Sequence, residues 1–178
     1  MLRRLPTRLR GPVLLEPAVH RDERGFFLET YNRADLATAG VTTDFVQDNH
    51  SRSRLGTVRG LHFQRGAGQA KLVRAARGHI WDVVVDVRRG SETFGEWEAF
   101  DLDDVAHRQL FVPAGFAHGF CVVSDIADVC YKVSSYYEAD AERGIAWNDP
   151  AIGIRWPIDD PTLSDRDRLN PMLADAEP

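Results

Sequence analysis

Two histidines stand in settings that could do chemistry. His62 lies in Arg59-Gly60-Leu61-His62-Phe63-Gln64, and His118 in Pro113-Ala114-Gly115-Phe116-Ala117-His118-Gly119-Phe120. An unperturbed imidazole titrates at about 6.5, so it can take a proton at neutral pH, and His62 is a candidate general base. Asp167, in Ser164-Asp165-Arg166-Asp167, is a candidate to orient it, though read alone a solvated charge in a polar tail is the better reading. Tyr131 shares strand parity with Val129, Val133, Ser135 and Tyr137. On an inward face its phenol could return a proton to a carbanion, while the plainer reading is a core aromatic whose hydroxyl finds a partner. Of the 22 basic residues only Lys71 and Lys132 are lysines. A position that keeps Lys in an Arg-rich chain suits a compact, titratable ammonium, and Lys71 could stabilise a developing oxyanion. A rim lysine fits the sequence as well.

These side chains must be held by short strands, because the chain reads as β-segments broken by turn residues. Candidates are Val13-Leu14-Leu15, Phe26 to Tyr31, Lys71 to Ala75 and the β-branched run His79 to Val87. Trp97 to Leu102, Gln109 to Val112, Gly119 to Val123 and Ala127 to Tyr137 follow. One short helix is expected from Arg33 to Ala39, capped by Asn32 and ended by Gly40. The polar tail from Pro157 to Pro178 is expected to wrap the surface with a helical turn or two. Many strands and few helices predict an all-β sandwich or barrel. There is no Gly-x-Gly-x-x-Gly after a strand and no P-loop pattern, which argues against a Rossmann or nucleotide-hydrolysing fold.

The Pro113-x-Gly115-x-x-His118 spacing resembles the second motif of the cupin superfamily, whose fold is a double-stranded β-helix or jelly roll. Metal-binding cupins open their first motif with His-x-His and a nearby carboxylate. Here that motif is His62-Phe63-Gln64, and no Asp or Glu follows before Asp82. A transition metal usually wants three or four protein ligands, so metal-free chemistry is expected.

Composition narrows the classes. With 178 residues the chain makes one domain, 1–178, large enough for a single core. Hydrophobic residues are 43% and charged residues 28%, an ordinary globular mix. A net charge of -5 argues against a protein devoted to nucleic acid. No apolar run is long enough for a membrane span. The Arg-rich start lacks the apolar stretch of a secretory signal, and Cys121 and Cys130 lack metal or disulfide-framework spacing. Both are read as reduced core residues of a cytoplasmic protein, which makes the Asn49-His50-Ser51 glycosylation pattern accidental.

Taken in order, further blocks make a specific resemblance. They are Asp22-Glu23-Arg24-Gly25-Phe26-Phe27-Leu28-Glu29, Gln47-Asp48-Asn49-His50-Ser51, Arg59 to Gln64, Ala70-Lys71-Leu72-Val73, Pro113 to Phe120, Tyr131-Lys132, Tyr136-Tyr137 and Trp147-Asn148-Asp149-Pro150. Nearly the whole chain thereby resembles the dTDP-4-dehydrorhamnose 3,5-epimerase family. The resemblance implies a cupin fold, a dTDP-linked 4-keto-6-deoxy sugar as substrate, no cofactor, and a homodimer whose first 30 residues or so cross to the partner. It implies His62 as base with Asp167 as its dyad partner, Tyr131 as acid on the opposite face of the sugar, and Lys71 and His118 around the keto oxygen. It places Arg24, Glu29, Gln47, Asn49, Arg59, Glu142 and Arg166 at the nucleotide and diphosphate, and Phe26 and Tyr137 against the base. The family commonly has Lys where this chain has Arg166, and Arg binds phosphate as well.

Two points stay open at this level. Arg59 and His62 have opposite parity, so a regular strand would send them to opposite faces, and both serve one site only if the backbone bulges near Gly60 or the motif ends a strand. The same residues also suit a mono-epimerase acting at carbon 3 or 5 alone, or a catalytically silent sugar-binding cupin.

Overall fold

The Val83-Val84-Val85 run is apolar on both sides of a strand, so it needs cover on both faces. The structure, a computed structural model, describes residues 2–177; Met1 and Pro178, the ends of the expected domain, lie outside the described residues. Its strands are β1 (Arg3–Leu5), β2 (Val13–Glu16), β3 (His20–Asp22), β4 (Gly25–Phe27), β5 (Gln47–Arg54), β6 (Val58–Gln64), β7 (Lys71–Arg77), β8 (His79–Asp86), β9 (Trp97–Asp103), β10 (Gln109–Val112), β11 (Phe116–Val122), β12 (Ile126–Val133) and β13 (Glu142–Gly144). The helices are α1 (Arg33–Thr38) and α2 (Asp165–Arg168).

Two antiparallel sheets face each other. One has the order β1-β2-β10-β7-β12-β5 and the other β13-β6-β11-β8-β9, with β3-β4 as a separate hairpin. This is the cupin jelly roll expected from the sequence. Between the sheets lie Val73, Ala75, Ile80, Val84, Phe100, Leu110, Phe120 and Val129 with their neighbours. Val83 and Val85 point the other way, into a layer closed by Ile145, Ile152, Leu173 and Ala176 of the C-terminal segment. Each fully buried Val is worth about 1.5–3 kcal/mol, which makes this run a main anchor of its sheet. The outer face of the first sheet is covered by α1 through Leu36, with Val41, against Leu15, Leu72 and Phe111.

Local chemistry explains the ends of elements. The Asn32 side chain accepts the Ala34 and Asp35 N–H groups at 3.1 and 3.3 Å, so α1 starts where expected. It stops at Thr38, one residue early, before Gly40 at φ +92°. The expected strand from Phe26 to Tyr31 is only β4: past Phe27 the chain has left its hairpin partner. The expected Ala127–Tyr137 strand stops at Val133, where Ser134 turns its N–H to the Ala70 carbonyl at 3.0 Å. Tyr137 is therefore not on the strand of Tyr131. Cys121 is buried as expected, but Cys130 is only half-buried: it has the parity of the outward residues of β12, opposite to Tyr131.

Candidate active site

The parity conflict in Arg59-Gly60-Leu61-His62 is resolved by a bulge. His62 of β6 pairs with His118 of β11, and Arg59 with Phe120, so three steps on β6 match two on β11. Gly60 makes this possible. Its φ is +114°, and a Cβ there would lie 2.6 Å from the Gly119 Cα and 2.7 Å from the His118 carbonyl oxygen. Only a residue without Cβ fits. Arg59 and His62 then line one cavity of about 480 Å³.

The cavity lies between the sheets. His62 and His118 enter from β6 and β11, and Lys71 and Tyr131 from β7 and β12 of the facing sheet. Tyr137, Glu142, Arg166 and Asp167 complete it from the loop after β12, from β13 and from the tail.

His62 and Asp167 form a pair, with Nε2 2.6 Å from Oδ1. Burial pushes the Asp167 carboxyl up, but the His62 hydrogen bond, the Gly60 N–H and Ser164 outweigh it and hold it below the usual carboxylate range. Asp167 therefore stays ionised and accepts the Nε2 proton, leaving Nδ1 as the free basic nitrogen of His62. His118 is buried and bonds Asp82 through Nε2, at 3.0 and 2.9 Å from the two carboxylate oxygens. Burial, aided by nearby Lys71 and His62, lowers its pKa against the pull of Asp82. It is a neutral donor to Asp82 rather than a second base carrying charge.

Lys71 has its pKa lowered to about 8 by burial, with Glu142 and Asp82 pulling the other way. Its ammonium is still the main form at neutral pH, and a cation in a partly dry cavity is poised to meet negative charge. Burial raises the Tyr131 phenol, against the influence of Arg59, so it remains protonated and able to donate. Arg59 Nε donates to Ser53 Oγ at 2.9 Å, fixing the guanidinium. Arg166 pairs with Glu142 at 2.5 Å, and the Tyr137 hydroxyl bonds the same carboxylate. The arrangement sets a carboxylate-bonded imidazole on one wall and a protonated phenol and an ammonium on the facing one. That is the equipment for removing a proton next to a carbonyl and returning it from the other side. Among the described residues no three His, Cys, Asp or Glu side chains gather where a metal ion could be held.

A family model described as dTDP-4-dehydrorhamnose 3,5-epimerase matches residues 6–175. The chain belongs to this family. The dTDP-4-dehydrorhamnose 3,5-epimerase of Pseudomonas aeruginosa is 50% identical over 175 residues, covering 96% of this chain and 97% of its own. The crystal structure of the Bacillus anthracis enzyme with TDP and PPi bound is 48% identical, with TM-score 0.94 over 97% of this chain and 99% of the other. That of dTDP-6-deoxy-D-glucose-3,5-epimerase from Legionella pneumophila, in complex with dTDP-4-keto-L-rhamnose, is 40% identical, with TM-score 0.94 over 98% and 94%.

Of the residues that the epimerase resemblance named, His62, Lys71, Tyr131, Asp167, Arg59, His118, Tyr137, Glu142 and Arg166 line the one cavity. Gln47 and Asn49 do not line it, though they share the inward parity of Ser51 on β5, and Gln47 Nε2 holds the Asn49 Oδ1 at 2.8 Å. Three lie elsewhere on the same chain. Arg24 pairs with Asp22 on the exposed hairpin, and Phe26 packs against His107 with ring centroids 4.5 Å apart and the planes tilted by 40°. Glu29 lines a small pocket with Tyr31 and Asn32. Sequence reasoning missed Ser51, Ser53, Thr57 and Thr162, small hydroxyl residues with no spacing to betray them. It also missed Asp82 as the partner of His118. A charge inside a β-branched run, Asp82-Val83-Val84-Val85-Asp86, was the available signal, because such a group needs a buried partner.

Proposed function

We propose that this protein inverts carbons 3 and 5 of dTDP-4-dehydro-6-deoxy-D-glucose to give dTDP-4-dehydro-L-rhamnose through an enolate. The observation that carries this reading is the placement of the His62–Asp167 pair and of Tyr131 on facing sheets across one cavity. Inversion needs this: the proton must leave one face of the sugar and return to the other.

The substrate's 4-keto group acidifies the protons at carbons 3 and 5. A gap on the order of ten pK units to an imidazole remains, each unit worth about 1.36 kcal/mol. Lys71 narrows it by placing a cation at the enolate oxygen, where preorganised charge acts strongly. His62 takes the proton on Nδ1, Asp167 steadies the imidazolium, and Tyr131 delivers a proton to the opposite face. The sugar has no net change of redox state, so proton transfer accounts for both inversions without a cofactor. His118 serves the keto oxygen and nearby hydroxyls. Arg59 and Arg166, with Gln47, Asn49 and Glu142, hold the nucleotide diphosphate, and Tyr137 flanks the base.

Arg24, Phe26 and Glu29 lie away from their own chain's cavity, which favours a homodimer in which the N-terminal segment completes the partner's site. The two unpaired cysteines suit the reducing cytoplasm. Among the described residues no helix is long and apolar enough to cross a membrane. The reading is tested by incubating the protein with dTDP-4-keto-6-deoxyglucose and a reductase that accepts only the L-configured ketone. Steady consumption of the reductase's nicotinamide is expected; no consumption, with substrate intact, contradicts it.

A further inference from the structure

The block Trp147-Asn148-Asp149-Pro150 carries none of the proposed chemistry, yet it grips the segment that does. We propose that Asp149 is a positioning residue for the His62–Asp167 pair, acting through the C-terminal tail. This rests on the epimerase reading above.

Asp167 meets His62 from 105 residues further along the chain. It sits on α2, four residues long, which cannot hold its own place. Its position must come from anchors on either side. Upstream, Trp156 Nε1 donates to the Trp147 carbonyl at 2.7 Å. Thr162 then bridges to the start of β6: its N–H donates to the Gly56 carbonyl at 2.9 Å, and its carbonyl accepts the Val58 N–H at 3.0 Å. Downstream, the Ala146 N–H donates to the Pro171 carbonyl at 2.7 Å. Closest to the tail's apolar plug, the Leu173 N–H donates to Asp149 Oδ2 at 2.6 Å, while Oδ1 takes the Ala151 N–H at 2.8 Å.

Asp149 is 3% exposed, and no cation pairs with it among the described residues. A buried carboxylate is costly unless hydrogen bonds satisfy it, and here two amides do so. One belongs to the body and one to the tail, so the carboxylate is a clasp between them. It clamps the tail six residues beyond Asp167, touching neither the dyad nor the cavity lining. A hydrogen bond of 2.6 Å at the dyad leaves little slack. A displacement of about 1 Å at a reacting group can cost on the order of 100-fold in rate.

The test is a double-mutant cycle read by solvent-deuterium exchange into the substrate. Asp149→Asn keeps the shape but turns an NH₂ toward one of the two amides. In the wild-type background it is expected to slow exchange about 10- to 100-fold. In an Asp167→Asn background it is expected to act by less than about twofold, because the group it positions is already gone. Proton NMR adds a readout independent of turnover: the downfield resonance of the His62–Asp167 proton shifts or broadens in Asp149→Asn. Equal slowing in both backgrounds overturns the proposal, and so does an unchanged dyad resonance in the folded variant. Should Asp149→Asn fail to fold, Asp149→Ser, which keeps one oxygen acceptor in a smaller side chain, runs the same cycle under the same two criteria. A wild-type protein that exchanges neither carbon counts against the epimerase reading, while the dyad resonance still decides the role of Asp149.

Discussion

Lys71 carries the clearest pH signature of any residue at the site. Only its charged form can hold an enolate, and with a pKa of about 8 that form declines tenfold per unit above this value. The rate of exchange is therefore expected to fall on the alkaline side of pH 8. In Lys71→Met it should drop about 10²- to 10³-fold and lose that limb; a wild-type profile flat to pH 10 contradicts the role. The same burial has a cost in stability. Folding lowers the pKa from 10.5, so the folded state binds the proton less readily than the unfolded chain. The penalty is full below about pH 8 and vanishes as pH rises toward 10.5. Lys71→Met is thus expected to melt higher than wild type at pH 7, losing activity while gaining stability. Tyr131→Phe is expected to separate the two proposed half-reactions: with His62 in place deuterium should still enter, while completed inversion is impaired. Loss of exchange as severe as in His62→Ala would show that Tyr131 does more than return the proton.

The bulge in β6 joins local sequence to the site, since it turns Arg59 and His62 onto one face. Gly60→Ala would drive a Cβ into the backbone of β11, at 2.6 Å from the Gly119 Cα. A loss of at least about 2 kcal/mol is expected, read as a lower denaturant midpoint. A variant as stable as wild type would show that the strand can flatten. This element also marks what the sequence makes legible. The parity of Arg59 and His62 posed the conflict, and Gly60 named its resolution. β8 was readable because both its faces are apolar. β5 was not: Gln47-Asp48-Asn49-His50-Ser51-Arg52-Ser53-Arg54 has no large apolar residue, because its inward side chains border a polar cavity instead of the core. β1, β3 and β13 have three residues each, too few to show a period. The dyad partner was legible only through the family resemblance, since no local pattern links Asp167 to His62 across 105 residues. Its surroundings were not, because the Thr162 and Pro171 anchors of the tail are backbone groups that any sequence supplies, and no spacing links Asp149 or Trp156 to the dyad.

At the scale of the molecule, the two sheets supply the opposed walls and the tail closes them, while the N-terminal hairpin stands apart with Arg24 and Phe26 exposed. The proposed dimer gives that hairpin its use. Co-expressing His62→Ala with Arg24→Glu should then restore activity that neither variant has alone. Each mixed dimer would contain one site with both residues intact, so random pairing returns roughly a quarter of wild-type turnover. No recovery from a confirmed mixed dimer would mean that each chain builds its site alone. The central claim, paired inversion by proton removal between facing walls, is tested most directly by NMR of dTDP-4-keto-6-deoxyglucose in heavy water. Deuterium entering both carbon 3 and carbon 5, and neither with His62→Ala, is the expected result. Deuterium at one carbon alone would make the protein a mono-epimerase, and near-normal exchange in His62→Ala would contradict the account of the base.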